Sequence, residues 1–275
     1  MRRLITAAVI AISAAAAQAD PLLFYNGRLF VDSQINGIGT KALLDSAAEA
    51  TLVDPEFATK AKLPKGTSQQ IRGSGGTANA RIVEGATIRA LGIELHPDAI
   101  IVTDLDELSK RLIKRPTSVV LGRELFDSAR LKIDIKDGTI DVLSDQASPT
   151  GRRLPLTKHA GVESIPITAN GLRVQAEFDL GNGSKPMVSR ALVNRLRLKP
   201  IAHESGGGIG GPLMRDVVII PRLEVAGVWL RDVRAAVDDQ SNANDLNIGT
   251  SILSRFLITT DFKNRAVWLQ PTGRQ

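Results

Sequence analysis

Leu121-Gly122-Arg123-Glu124-Leu125-Phe126-Asp127-Ser128-Ala129-Arg130-Leu131-Lys132-Ile133-Asp134-Ile135-Lys136-Asp137-Gly138 aligns without a gap on Ile248-Gly249-Thr250-Ser251-Ile252-Leu253-Ser254-Arg255-Phe256-Leu257-Ile258-Thr259-Thr260-Asp261-Phe262-Lys263-Asn264-Arg265. Gly122 falls on Gly249, Asp134 on Asp261 and Lys136 on Lys263. Each copy reads as an apolar residue and a glycine, a short helical turn, and a β-hairpin that turns at Asp137-Gly138 or Asn264-Arg265. Long-range self-similarity of this kind reports a duplicated structural unit.

The match extends upstream. Lys41-Ala42-Leu43-Leu44-Asp45 corresponds to Gln175-Ala176-Glu177-Phe178-Asp179, each a strand running into a carboxylate. A short helix follows in both, capped by Asp54 with Pro55 at its opening position, and by Ser189. Next comes a glycine-rich hairpin, around Arg72-Gly73-Ser74-Gly75-Gly76 and then around Gly206-Gly207-Gly208-Ile209-Gly210-Gly211. The order strand, Asp, helix, glycine hairpin, strands and closing hairpin is thus performed twice. This predicts an N-terminal lobe over 20–145, a polar linker over 146–155 and a C-terminal lobe over 156–275.

Composition narrows the function. With 275 residues, 43% of them hydrophobic, the chain can bury a large core without disulfides, and it has no cysteine. Thiol nucleophiles and thiolate metal sites are therefore excluded. Arg2-Arg3, the apolar run Leu4 to Ala16 and Ala17-Gln18-Ala19 read as a signal peptide over 1–19, placing the protein in the periplasm or outside the cell. The formal net charge of +6 becomes +4 once Arg2 and Arg3 are removed. The remaining cations are scattered and aromatics make up 4%, so nucleic-acid binding is not expected. His96, His159 and His203 lack paired ligand spacing, and no metal is expected. No serine sits in a G-x-S-x-G elbow. Gly206, Gly208 and Gly211 satisfy G-x-G-x-x-G, but Pro212 and a β-like run follow where a dinucleotide site needs a helix.

Ala42-Leu43-Leu44-Asp45-Ser46-Ala47 resembles the apolar-apolar-Asp-Thr/Ser-Gly motif of the pepsin and retropepsin superfamily of aspartic proteases. Leu121-Gly122 and Ile248-Gly249 are similar to the apolar-Gly element beneath the catalytic loops of that family. The resemblance implies a mainly β fold of duplicated retropepsin-like lobes, two barrel-like halves with short helices and a cleft between them. It also implies an aspartic endopeptidase acting as a monomer, without cofactor, on peptide or protein substrates. Asp45 and Asp179 would be the catalytic pair, with Ser46, Ala47 and Gly181 supporting them. Gly73, Ser74, Gly75, Gly208, Ile209 and Gly210 would form the flaps over the substrate.

Two departures from the family pattern stand out. The hydroxyl expected after the second Asp is replaced by Leu180, and the glycine of the first motif by Ala47. They motivate one alternative, a protease-shaped peptide-binding module without catalysis. A second alternative pairs Asp45 with its own copy in a homodimer. Asp134 and Asp261 are expected only to set strand ends or exposed pairs.

Overall fold

The computed structural model describes residues 19–273, so the expected signal peptide lies almost wholly outside the described residues. Most of the remainder is β-structure with short helices. In the first half, Ile38–Leu44 lies parallel to Val119–Leu121, which is antiparallel to Leu52–Val53, which is parallel to Ile100–Thr103. The second half repeats this pattern: Leu172–Phe178 is parallel to Leu246–Ile248, then come Met187–Ser189 antiparallel and Val228–Asp238 parallel. Register as well as order is preserved, since Leu43 faces Val120 and Glu177 faces Asn247. In the second half the sheet curls until Thr168 pairs with Glu224, giving it a barrel-like closure.

A third sheet joins the halves. Its strands run Asp20–Pro21, Thr139–Leu143, Arg130–Asp134, Phe256–Asp261, Ala266–Pro271 and Arg152–Pro155, all antiparallel. The closing hairpins that reveal the duplication in the sequence are its centre, with Ile133 opposite Ile258. Alternate residues Leu131, Ile133, Ile258, Val267 and Leu269 are fully buried, which fixes the register, because a one-residue slip would expose the whole set. Phe126 stacks on Phe262 at 5.4 Å across the same join. Residues 152–155 of the expected linker form an edge strand of this sheet.

Asp261 ends its strand, as expected, but its ion pair is not exposed. It is buried, and Arg130 of the other half donates to it at 2.6 Å and Asn264 at 3.0 Å. Removing one partner of such a pair costs about 3–5 kcal/mol because the other charge stays buried. Asp134 caps its hairpin through the Asp137 N–H. The helices Pro55–Lys60 and Arg190–Arg195 start where the sequence predicts, with Asp54 accepting from the Glu56 N–H and Ser189 from the Leu192 N–H.

Candidate active site

Each aspartate closes the strand before it in the same way. The Asp45 N–H donates to Leu121 O at 2.9 Å, and the Asp179 N–H to Ile248 O at 3.0 Å. Asp45 Oδ1 accepts from the Ala47 and Ala48 N–H groups at 2.9 and 3.0 Å. Asp179 Oδ1 accepts from the Gly181 and Asn182 N–H groups, both at 2.9 Å. One oxygen of each carboxylate is thereby held by a backbone turn.

The two loops are in contact. A methyl group on Gly181 would lie 2.7 Å from Asp45 Oδ1 and closer still to Cγ and Oδ2, so the Asp45 carboxyl rests directly on the Asp179 loop. Glycine is required there by space, not by backbone angle. Ala47 is not among the residues with positive φ, so the alanine of the first loop is unstrained. Ser46 reaches across the join: its Oγ donates to Phe178 O at 2.7 Å and accepts from the Leu180 N–H at 2.9 Å. The reciprocal hydroxyl is absent, and Leu180 instead fills the core, fully buried.

Asp179 has a different second support. Asn247 Nδ2 donates to its Oδ2 at 2.8 Å and to Glu177 Oε2 at 3.0 Å, while Asn182 Nδ2 fixes Asn247 Oδ1 at 2.8 Å. Arg28 is buried nearby, its Nη1 bound to the Asn26 and Leu112 carbonyls, and its charge favours ionisation of both aspartates.

Burial raises both aspartates above the ordinary carboxylate value. Asp45 is pushed up to about 7, first by loss of solvent and next by the charge of Asp179, against the pull of the Ala47 and Ala48 N–H groups. Asp179 is raised by burial and held back by Asn247, Asn182 and Gly181. Two carboxyls this closely coupled titrate as a pair and hold one proton between them over an acidic range.

The glycine hairpins reach each other. The first runs Thr67–Gly73 to Gly76–Val83 and the second Ala202–Gly206 to Leu213–Val225. The Gly75 N–H donates to Ile209 O at 2.9 Å. Added methyls at Gly73, Gly75 or Gly210 would strike the opposite tip, and one at Gly208 would strike Ser74 Oγ. Close backbone approach therefore explains the glycines. Two arginines brace this junction. Arg111 donates to the carbonyls of Gly206 and Gly207, and Arg215 donates to Ser74 O at 2.7 Å and to Asp238 at 2.9 Å. Ile209 packs on the first-lobe cluster containing Leu43, two residues before Asp45.

The structure thus brings Asp45, Asp179, Ser46, Ala47 and Gly181 to one place, and the six expected flap residues to another. Sequence reading missed Arg28, Asn247, Glu177, Arg111 and Arg215. For Asn247 a signal was present: Leu246-Asn247-Ile248 carries a polar residue where the first half has Val119-Val120-Leu121. Asp54, Asp104 and Asp106 also bring carboxylate oxygens within 4.8 Å of one another. Asp54 and Asp104 are engaged there by the N–H groups of Glu56, Leu105 and Asp106.

Two lobes of one plan, each presenting an aspartate at a strand end and carrying a glycine-tipped hairpin, define a retropepsin-like architecture. A family model described as aspartyl protease matches residues 31–125 and again residues 165–252. The chain belongs to the aspartyl protease family. No curated protein matches it.

Proposed function

We propose that the protein is an aspartic endopeptidase that hydrolyses peptide bonds with Asp45 and Asp179 of a single chain. The observation that carries this reading is the pair of identical backbone cradles that set two aspartates against each other with raised affinity for a proton. One ionised carboxylate takes a proton from a water held between them, and the protonated one donates to the scissile carbonyl oxygen. The water oxygen then bonds to the carbonyl carbon. Collapse of the tetrahedral species breaks the C–N bond as the amine takes up a proton from the carboxyl that acted as base, and one hydroxyl of the gem-diol returns its proton to the carboxylate that acted as acid. The hairpins around Ser74 and Ile209 part to admit an extended peptide and close to exclude solvent.

Both aspartates lie on one chain, so a monomer suffices. Export to the periplasm or medium follows from the reading of residues 1–19, and the hydrolysis draws on no cofactor. No helix among the described residues is long and apolar enough to cross a membrane.

The test is cleavage of a quenched-fluorescent peptide library between pH 3 and 8 by the wild type, Asp45→Asn and Asp179→Asn. Turnover is expected in mild acid, falling as the pH rises past about 7. Each substitution should lower kcat by about 100-fold or more. Full activity in both variants would sink the proposal. The interlocked hairpin tips and Leu180 favour one rival, a peptide-binding module without catalysis. That rival is established if library peptides bind and none is cut at any pH.

A further inference from the structure

The two walls beside the aspartates differ in kind. Side chains alternate along a strand, so Leu43 shares a face with Asp45, and Glu177 shares one with Asp179. The register equates Phe30, Leu43, Val120 and Leu52 of the first lobe with Ser164, Glu177, Asn247 and Met187 of the second. The first wall is apolar and already covered by Leu105, Ile113 and Ile209. Leu105 and Ile113 come from the long connection 104–118 and Ile209 from the opposite hairpin. The corresponding second-lobe connection, 239–245, is far shorter and polar, with Ala243 as its sole apolar residue.

Glu177 stands on that less covered wall with an unusual set of partners. It is half-buried, and among the described residues Asn247 is its hydrogen-bond donor. No lysine or arginine pairs with it among those residues. The charged and titratable groups around it are Asp179, Asp238 and the exposed His159. A buried carboxylate without a cation is costly unless something else supplies the missing donors. Its first-lobe equivalent is a leucine, so the fold does not require an acid at this position.

The geometry points to Glu177 as a specificity-determining residue: the second-lobe side of the cleft takes a substrate side chain ending in N–H donors, lysine or arginine, next to the scissile bond. The inference rests on the peptidase reading and names the substrate class of the same site. Asn247 sets the orientation of this carboxylate as it sets Asp179, so selection and catalysis share one amide. An arginine or lysine entering from the cleft supplies the charge-assisted bonds that no protein group supplies. An apolar side chain of equal length leaves the carboxylate without them, and the site rejects it.

The experiment compares kcat/KM for peptides identical except for lysine, arginine, glutamine or norleucine at the residue bound by the second lobe. Cleavage sites are read by mass spectrometry. The readout is the ratio for lysine over norleucine, which does not depend on the fraction of enzyme folded. In the wild type it should be about tenfold or more, in keeping with a charged hydrogen bond. In Glu177→Gln it should fall toward unity, and in Glu177→Leu, which copies Leu43, it should invert. A wild-type ratio at or below unity, or one unchanged in Glu177→Gln, overturns the inference. If no peptide is cut, fluorescence anisotropy of the same peptides on the full chain decides. Glu177-dependent preference for lysine then keeps the subsite and removes the peptidase reading, whereas equal binding of all four removes the subsite.

Discussion

The first lobe holds its aspartate in front of an apolar wall and reaches across the join with Ser46; the second holds its aspartate in a polar network of Asn182, Asn247 and Glu177 and gives back a leucine. The backbone cradles are nevertheless the same to within a tenth of an ångström in their hydrogen bonds. Duplication has preserved what presents the carboxyl and released what surrounds it. A carboxylate needs its N–H donors at fixed positions, whereas the second oxygen can be steered by any donor or apolar contact of the right shape. Ser46 Oγ alone satisfies the Leu180 N–H and the Phe178 carbonyl, and Leu180 returns no hydroxyl to the first loop.

The sharpest way to break the comparison is at the glycine of the two motifs. Gly181→Ala pushes a methyl into the Asp45 carboxyl and should lower kcat by about 100-fold, as misplacement of reacting groups by an ångström does. Ala47→Gly should change kcat by less than about threefold, since alanine is unstrained in that loop. Steady-state kinetics on both variants checks this. Equal losses would mean that the two loops do not play different steric roles.

Next in size is the crossing hydroxyl. Ser46→Ala leaves the buried Leu180 N–H and Phe178 carbonyl unpaired and should cost about 1–3 kcal/mol in urea unfolding. Ser46→Thr should recover most of it. If Ser46→Ala unfolds at the wild-type midpoint, Leu180 packing rather than the hydroxyl holds the loops together.

A further difference is a pH slope. Asp45 binds its proton more tightly when folded, at about 7 against an ordinary 3.8. Below about pH 4 both states are protonated and the residue adds no slope. As the pH rises from there toward 7 the unfolded state releases its proton first, so wild-type stability declines, and the penalty is complete above 7. Asp45→Asn lacks it. Its melting temperature should exceed that of the wild type at pH 8 and converge with it near pH 4, and parallel curves would contradict the coupling. Asp179 should leave a residual slope of the same sign in that variant.

Several features were legible without coordinates. The ungapped pairing of 121–138 with 248–265 fixed the number of lobes and placed both closing hairpins, because turn residues and alternating burial leave a periodic trace. The aspartates were legible as strand-terminating carboxyls, and the helix starts through Asp54 and Ser189, whose capping chemistry is local. Asp261 was legible as a strand end but not as half of a buried pair, because its partner, Arg130, belongs to the other half and no local pattern links them.

Local order is thus written in the amino acids alone: two copies of a strand, an aspartate, a helix and a glycine hairpin, since each depends on neighbours a few residues apart. Tertiary structure alone decided that Asp45 rests on Gly181, that Ser46 serves the opposite loop, that the hairpin tips meet under Arg111 and Arg215, and that Asn247 joins Glu177 to Asp179. Those contacts span distances along the chain over which a polar residue carries no mark of its partner. Only the register of the sheets brings the two together.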